Sequence, residues 1–539
     1  MKMSSKLIFL TTLLAGAAAA QPIISTGGIL NAASYSLSGL PNSGIAQGSM
    51  FLVFGSKLGP AALSQVSVFP LPITLAGTSM KVTVNGVTLV VPMVYTLASQ
   101  ICGILPSSTP VGTGSLTVTY NDQTSAPATI KVVRTAVGIF SVNQKGSGPG
   151  VLQNVNTETD RPVNTVINSA KPGQAMILWA VGLGPITGDD ATGIFAGQLD
   201  VDTQVWVGNK QANILYKGRS GCCSGIDQIV FTVPDDAADA CHVPVVVRTG
   251  NVVSNYVSMA IARRGGACDA DTAAIQMAGT VKFGEIGLTR IITEISLSGF
   301  TLPFTSDTAS GSFGKYDLAR YVASQSNYEV GYCTSYLFNG TDYLGATDPV
   351  TPDILDAGPA LNITGPKGVK KLSKGTDGSY SVSLAGAPLP GGTSAGPDYL
   401  NAGAYTVDNG TGGTGANAVG PFKAAITLGP VLKWDNKASI VSIDRQKDLE
   451  VTWSGGDPDG FVNIVGGSVV STFGAAFVCR EKASAGRFTI PSVAFLNIPL
   501  GNLSVLSVGS ISPLKFSAVG LDSGTLTSYG NSAKTVTFK

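Results

Sequence analysis

Short runs in which apolar and polar residues alternate, separated by turn-forming residues, recur along the chain. Examples are VTVNG (82–86), LTVTYND (116–122), VWVGN (205–209) and VVVRTGN (245–251). A period of two residues is that of a β-strand with one buried face. The Asn, Asp and Gly residues that end these runs are typical of hairpin connections. The pattern therefore predicts an all-β protein.

The first half of the chain contains a repeat. GSMFLVFGSKLGP (48–60) and GQAMILWAVGLGP (173–185) share an initial Gly, an apolar run and a final Leu-Gly-Pro, and SQICGILP (99–106) corresponds to DQIVFTVP (227–234). The matching pieces follow one another in the same order in both units, which is the mark of tandem modules. About seven short strands per unit is typical of a β-sandwich of the immunoglobulin-like kind.

Several segments of this half resemble a known family. They are GGILNAASY (27–35), GIAQGSM (44–50), AVGIF (136–140), NSAKPG (168–173) and VGLGPIT (181–187). Together with the repeat, they resemble secreted acidobacterial proteins that carry tandem modules of the IPT/TIG branch of the immunoglobulin-like fold. That family usually has Ala-Pro-Gly-Ile-Phe near Phe140, where this chain has Val137 in place of the proline. The resemblance covers residues 27–262 and implies fold and export, but no activity.

The first 20 residues are typical of a secretory signal peptide. A basic start with Lys2 and Lys6 precedes an apolar stretch (Leu7–Ala15), and small residues lie before Gln21. The alternative, a membrane anchor, is disfavoured because the apolar stretch is too short to cross about 30 Å of hydrocarbon. We therefore expect a protein without a membrane span that is secreted or on the cell surface, in an extracellular or periplasmic location.

The turn-rich second half predicts further β-structure, with a polar linker after the repeat. We expect tandem immunoglobulin-like β-sandwiches followed by a larger β-rich C-terminal region. The predicted units are a signal peptide (1–20), module 1 (21–135), module 2 with a cysteine-containing loop (136–262), a linker (263–274), a β-rich middle module (275–435) and a C-terminal β-sandwich (436–539).

Charge and composition exclude several classes of function. The 539 residues are 12% charged, with a net charge of +1, whereas nucleic-acid binders need a basic surface. The 44% hydrophobic content argues against disorder. A single histidine makes catalytic triads and most zinc sites hard to assemble. We accordingly expect neither an enzyme nor a nucleic-acid partner.

The seven cysteines indicate disulfides, because export permits them. Adjacent Cys222 and Cys223 are expected to reach different partners, for which Cys241 and Cys268 are the best candidates. A zinc site that includes His242 is the alternative, although no CxxC pair is present. The third predicted pair is Cys333 with Cys479, which leaves Cys102 as a free thiol. The disulfide candidates are Cys222, Cys223, Cys241, Cys268, Cys333 and Cys479.

A candidate binding surface lies on module 2, where GRSGCCSGI (218–226) is inserted relative to module 1. Loops on a rigid sandwich are common binding sites. We assign Trp179, Trp206 and Arg219 to this surface, with two alternatives: a pinned hairpin without a ligand, and tryptophans packed in the core. Small acidic loops leave calcium as the one cofactor to consider, and no other cofactor is expected.

These features favour a secreted, non-catalytic, multi-domain protein that acts in adhesion, surface assembly, or glycan or protein binding. Its expected partner is an extracellular glycan or a surface protein, and glycine-rich sheet edges also allow self-association. The alternative is a secreted hydrolase of glycosides or peptides with paired carboxylates in the C-terminal half. Glycoside hydrolysis needs only two acidic side chains, so the scarcity of histidine does not exclude it.

Overall fold

A computed structural model gives the fold of most of the chain. The predicted signal peptide lies outside the described residues. Within the part that is described, no helix has both the length and the apolar character needed to cross a bilayer. The structure describes residues 21–66, 68–270, 274, 278–297, 300–317, 329–339, 342–344, 352–386, 398–471, 473–501 and 503–539.

Module 1 is built from two sheets packed face to face. Its strands are β1 (Ile23–Asn31), β2 (Ile45–Ala46), β3 (Met50–Ser56), β4 (Ser64–Gln65), β5 (Thr78–Val84), β6 (Val87–Val90), β7 (Met93–Leu97), β8 (Gln100–Ile104), β9 (Gly112–Tyr120), β10 (Gln123–Thr124) and β11 (Ala128–Val133). One sheet has the order β1-β3-β8-β7-β4, and the other has β2-β11-β9-β5-β6 with β10 beside β9. Alternate residues of β5, such as Met80 and Val82, pack against Phe51 and Val53 of β3 in the core between the sheets.

Module 2 has the same two-layer construction. Its strands are β12 (Gly138–Ile139), β13 (Leu152–Asn154), β14 (Ala175–Val181), β15 (Gly197–Gln198), β16 (Thr203–Val207), β17 (Lys210–Arg219), β18 (Asp227–Thr232), β19 (Ala240–Thr249), β20 (Val252–Val253) and β21 (Val257–Ile261). The long strand β17 pairs first with β16 and then with β18, and its register shifts between Ile214 and Tyr216. This strand therefore joins the two layers, which enclose one apolar core.

The two modules share one topology. In module 1, β8 lies between β3 and β7, and in module 2, β18 lies between β14 and β17. In the opposite layers, β9 pairs with β5, β10 and β11, while β19 pairs with β16, β20 and β21. The repeat seen in the sequence is thus a structural repeat, and the all-β, tandem-sandwich prediction is confirmed.

The glycine that opens each repeat has the same local role in both modules. Gly48 and Gly173 have positive φ angles of 69° and 76°, which glycine adopts without a steric penalty. The Gly48 N–H donates to Leu105 O at 2.8 Å, and the Gly173 N–H donates to Val233 O at 2.9 Å. The initial Gly of the motif therefore anchors the start of the central strand to the end of its neighbour.

A serine near the end of each repeat is also equivalent in position. Val118 N donates to Ser125 Oγ at 3.1 Å, and Val247 N donates to Ser254 Oγ at 3.0 Å. Each serine N–H returns a hydrogen bond of 2.8 Å to the carbonyl of the same valine. These side chains close the last hairpin of each module in the same way.

The second half is dominated by a 14-stranded sheet. Its strands, together with those of two small sheets, are β22 (Thr280–Leu297), β23 (Phe300–Asp317), β24 (Tyr332–Asn339), β25 (Asp342–Leu344), β26 (Asp353–Ile354), β27 (Ala360–Gly365), β28 (Gly368–Lys374), β29 (Tyr380–Gly386), β30 (Gly403–Asp408), β31 (Lys423–Leu428), β32 (Lys433–Trp434), β33 (Ser442–Ile443), β34 (Leu449–Ser454), β35 (Phe461–Val470), β36 (Phe473–Lys482), β37 (Arg487–Ile490), β38 (Leu503–Phe516), β39 (Ser523–Thr535) and β40 (Thr537–Phe538). Short 3₁₀ turns occupy Lys437–Ser439, Ala483–Ala485 and Ser492–Phe495.

The large sheet crosses the predicted boundary between residues 435 and 436. Strand β22 is antiparallel to β23 and parallel to β39, so that Phe283 pairs with Ser523. The order is β25-β24-β36-β35-β38-β39-β22-β23-β29-β28-β27-β30-β31, with β26 beside β23. The two predicted C-terminal units therefore hydrogen-bond within one sheet, and the boundary between them stays a prediction.

The modules pack against one another through apolar side chains. Leu40 of module 1 is buried and belongs to the same apolar cluster as Trp434 and Phe495 of the C-terminal region. A second cluster joins Tyr256 of module 2 to Val493 of the C-terminal region. Burial of these side chains holds the N-terminal modules against the second half.

Candidate functional site

Arg219 was predicted to lie on an exposed binding surface, and that prediction is wrong. The side chain is 3% exposed and forms an ion pair with the fully buried Asp227, which lies opposite it on β18. Its Nη2 donates to the main-chain oxygens of Gly48 and Gly184, each at 2.7 Å. A buried cation needs such partners, so Arg219 joins module 2 to module 1 and does not face solvent.

Trp179 and Trp206 are both half-buried, and they lie on strands of opposite layers of module 2. Trp179 Nε1 donates to Gln153 Oε1 at 2.8 Å. The ring of Trp206 packs against the cluster that joins module 2 to the C-terminal region. The structure therefore does not combine Trp179, Trp206 and Arg219 into one surface.

The remaining tryptophans, Trp434 and Trp453, are buried, with exposed fractions of 5% and 3%. They pair across β32 and β34 and belong to the C-terminal core. For these two residues, the core-packing alternative is correct.

The structure pairs Cys222 with Cys223, whereas we expected them to reach Cys241 and Cys268. Cys222 lies in the exposed β17–β18 connection, while Cys241 is in β19 and bonds Cys268 of the linker. Separate positions in the fold explain why the adjacent cysteines do not reach that second pair.

The other cysteines behave as the sequence suggested. Cys333 and Cys479 face each other in the register of β24 and β36 and are bonded. Cys102 is a free thiol, and burial raises its pKa to about 12. A thiol that stays protonated is a poor nucleophile and a poor metal ligand, so Cys102 is a core residue.

The inserted loop of module 2 docks on module 1. Ser224 Oγ donates to Asp190 O at 2.7 Å, and Met50 N donates to Gly225 O at 3.3 Å. The Asp190 carboxylate in turn accepts hydrogen bonds from Ser107 of module 1. The insertion is thus a contact between modules, with Cys222 at its exposed face.

One group of possible metal ligands lies within the described residues, namely Cys241, Cys268 and Asp269. The two sulfur atoms are bonded to each other, so neither is available as a thiolate. The neighbouring His242 is in a small cleft of about 40 Å³ with Tyr256 and other polar residues. Burial lowers the pKa of His242, although the nearby carboxylates act to raise it. This arrangement does not favour the zinc alternative.

A larger cleft of about 650 Å³ lies where module 1, module 2 and the C-terminal region meet. Its volume is within the range of small-molecule sites, roughly 300–1,000 Å³. The residues that line it are Pro41, Asn251, Val252, Asp444, Arg445, Gln446, Lys447, Leu496 and Lys539. We name it the junction cleft.

Backbone pairing fixes the charged wall of the junction cleft. Strands β33 and β40 are parallel, and Lys539 N donates to Ile443 O at 2.9 Å. The next turn begins where Arg445 N donates to Lys539 O at 3.0 Å. Main-chain hydrogen bonds therefore place Arg445 beside Lys539, and both residues line the cleft together with Lys447.

Arg445 is the half-buried cation of this wall. Its Nη1 donates to Ile498 O at 2.8 Å, while the buried Nε has no hydrogen-bond partner. Burial lowers the pKa of Arg445, but an arginine side chain stays charged at neutral pH. The cleft thus contains a cation with unused donor capacity.

Sequence reasoning missed the junction cleft because its residues come from five separate segments. Pro41 and Leu496 belong to no motif, Asn251 belongs only to a hairpin pattern, and the basic residues near 445 are surrounded by acidic ones. The positive residues Arg445 and Lys447 around a short turn were the only local signal.

Comparisons with known proteins give the following. No protein-family model and no curated protein matches the chain. Domains 5–6 of the S-layer protein SbsC are 10% identical to it, with a TM-score of 0.17 over 45% of this chain and 98% of that one. SGBP-B from a xyloglucan utilization locus in Bacteroides uniformis is 10% identical, with a TM-score of 0.16 over 68% and 87%. A bacterial ice-binding adhesin structure is 11% identical, with a TM-score of 0.13 over 69% and 94%. Likenesses this weak carry no argument about function.

Proposed function

We propose that the protein is an exported, non-catalytic binding protein whose packed modules present the junction cleft to an extracellular glycan. The observation that carries this proposal is the cleft itself, with about 650 Å³ of space and walls from three parts of the fold. Ligand sites are commonly concave and lie between domains.

The cleft is supported by direct bonds between the parts that form it. Tyr256 Oη donates to Val493 O at 3.1 Å, and Asn497 Nδ2 donates to Ser254 O at 2.8 Å. Both contacts join module 2 to the segment that contains the cleft residue Leu496. A site that is already formed loses less free energy to ordering when a ligand binds.

The disulfides support an extracellular location. Cys333–Cys479 joins residues 146 apart in the chain, and Cys241–Cys268 joins residues 27 apart. Structural disulfides form and persist mainly in oxidising compartments. This agrees with the export that the N-terminal residues predict.

The hydrolase alternative finds less support. Asp307 in β23 is buried and accepts two hydrogen bonds from Arg290, and Asp356 accepts one from Lys374 at 2.6 Å. The neighbouring cation holds the pKa of Asp356 at about 2. A general acid needs a raised pKa, so these carboxylates have the properties of structural residues.

The test measures glycan retention and product release on the same samples. The secreted full-length protein is passed over immobilised neutral and acidic polysaccharides, and the soluble fraction is analysed for released oligosaccharides. We expect retention without release, with retention reduced by Asn251→Trp, which places a bulky ring in the cleft at an exposed residue. Val369→Trp is the matched control, since Val369 is exposed on β28. Release of oligosaccharides, or equal retention of both variants, would overturn the proposal.

A further inference from the structure

The side chains of the junction cleft carry an excess of positive charge. Arg445, Lys447 and Lys539 are cations, and Asp444 is the one carboxylate side chain among the residues that line it. Asp444 is already engaged, because its Oδ2 lies 3.6 Å from Lys447 Nζ and its Oδ1 accepts from Gln446 N at 3.0 Å. The cleft therefore attracts anions.

The donors of Arg445 suit an anion with two neighbouring oxygens. A guanidinium carries five N–H groups in a planar fork that matches a carboxylate or a phosphate. In the described part of the chain, Ile498 O is the acceptor that the structure gives to this side chain, and Nε has none. Nε is closed to solvent, whereas Nη2 is not buried and has no acceptor among the described residues, so a ligand carboxylate would bind at the terminal nitrogens of the guanidinium.

Another part of the lining is apolar. Pro41, Val252 and Leu496 line the cleft beside the polar residues Asn251 and Gln446. Such a wall can contact the C–H face of a sugar ring, while amides of this kind bind hydroxyl groups. A cationic wall and an apolar wall together suit a ring that carries both a carboxylate and hydroxyl groups.

We infer that the junction cleft binds a carboxylate-bearing glycan, that is, a polysaccharide containing uronic acid residues. This inference rests on the proposed function and specifies its ligand class. Arg445 binds the carboxylate, Lys447 and Lys539 add charge at the exposed rim, and the apolar wall contacts the ring. An acidic peptide also carries carboxylates, but as a ligand it lacks the sugar ring and its hydroxyl groups.

The experiment uses two probes that differ only at the carboxyl group, which is charged in one and a neutral methyl ester in the other. Calorimetric titrations of the full-length protein use a galacturonate oligosaccharide and its fully methyl-esterified form. We expect the free acid to bind about tenfold more tightly or better, since charge-assisted hydrogen bonds are the stronger ones. Higher salt should weaken binding of the acid by acting on the exposed rim charges.

Substitutions of the cleft residues test whether the oligosaccharide binds there. Arg445→Gln should lower affinity for the free acid about tenfold and leave the ester unchanged. Lys539→Gln, at an exposed side chain, is a second variant that does not threaten folding and should lower affinity by a smaller factor. Lys370→Gln is the matched control, because Lys370 is exposed on β28 far along the chain from the cleft residues. Thermal unfolding of each variant verifies that it is folded.

The outcomes separate the two proposals. Equal binding of acid and ester at the cleft overturns the inference but leaves the proposed function in place. Absence of binding to either probe and to every polysaccharide overturns both. Binding of poly-glutamate as tight as that of the oligosaccharide, lost in Arg445→Gln, overturns the glycan class. If Arg445→Gln and Lys539→Gln bind the free acid as tightly as the natural protein does, the inference is also overturned, because the carboxylate then binds elsewhere.

Discussion

Asp190 of module 2 accepts two hydrogen bonds from Ser107 of module 1, one from the main-chain nitrogen at 2.7 Å and one from Oγ at 3.2 Å. Ser107 Oγ also accepts from Ile186 N at 3.0 Å. The carboxylate is buried between the modules, and this burial raises its pKa above the ordinary 3.8. The contact between the two modules therefore contains an ionisable group.

The first prediction concerns the pH dependence of this contact. Because the folded-state pKa of Asp190 is raised, the stability that this group contributes is fully present below pH 3.8 and is lost as the pH rises through the folded-state pKa. Asp190→Asn, which does not titrate, should therefore become more stable relative to the natural protein as the pH increases from 4 to 8. Urea unfolding at several pH values measures the difference, with the exposed Asp202→Asn as control. A difference that does not change with pH would contradict the prediction.

The second prediction concerns the buried ion pair. Arg219→Leu leaves Asp227 as a buried charge without its partner, which should cost about 3–5 kcal/mol in the free energy of unfolding. The double variant Arg219→Leu/Asp227→Leu should recover much of this loss, since it removes both charges. Arg263→Leu, at a side chain that is 68% exposed, serves as control and should change stability by less than about 1 kcal/mol. If Arg219→Leu and Arg263→Leu lower the free energy of unfolding by similar amounts, the buried ion pair contributes no more to stability than an exposed one.

The third prediction contrasts two disulfides. Cys333–Cys479 spans 146 residues, so its double Ala variant should lose about 2–5 kcal/mol. Cys222–Cys223 joins adjacent residues, and replacing both by Ser should change the free energy of unfolding far less, because almost no loop is closed. Denaturant unfolding of both variants tests the difference. Peptide mass mapping without reductant should find both bonds and leave Cys102 free.

The fourth prediction concerns the packing of module 1 on the C-terminal core. Leu40→Ala removes a buried side chain from the cluster that contains Trp434, and should cost about 2–5 kcal/mol. Leu63→Ala is the matched control, since Leu63 belongs to the same module but is 59% exposed. Tryptophan fluorescence during unfolding reports on the C-terminal core. If Leu40→Ala leaves that transition unchanged, the packing between module 1 and this core does not contribute to stability.

The sequence was sufficient to predict the tandem sandwiches, because their signals are local. Strands such as β5 and β16 alternate in burial, and Gly48 and Gly173 mark equivalent turns. The same local reasoning misplaced Arg219, since a loop rich in Gly, Ser and Cys normally indicates exposure. Asp227, the oppositely charged partner of Arg219, follows the other end of the insertion. This cross-strand placement of two opposite charges was the sequence signal for the ion pair.

The large sheet and the junction cleft could not be predicted in the same way. Strands β22 and β39 are separated by about half of the chain. Neither segment contains a sequence pattern that predicts its pairing with the other. The cleft likewise forms where Pro41, Val252 and Arg445 meet. Such features arise from packing between modules, on which local patterns give no information.

The parallel pairing of Phe283 with Ser523 has a consequence for biogenesis. As the polypeptide emerges, β22 and β23 can form their hairpin at once, but the other edge of β22 must wait for β39, which is made almost last. Modules 1 and 2 have no such dependence, since all their strands are available early. Assembly should therefore proceed from the N-terminus, with the final hairpin β38–β39 docking as the step that completes the molecule. A chain truncated before residue 523 would contain two complete sandwiches, but its large sheet would lack the strand that joins β38 to β22. Both of those strands would then present open edges, which invites aggregation.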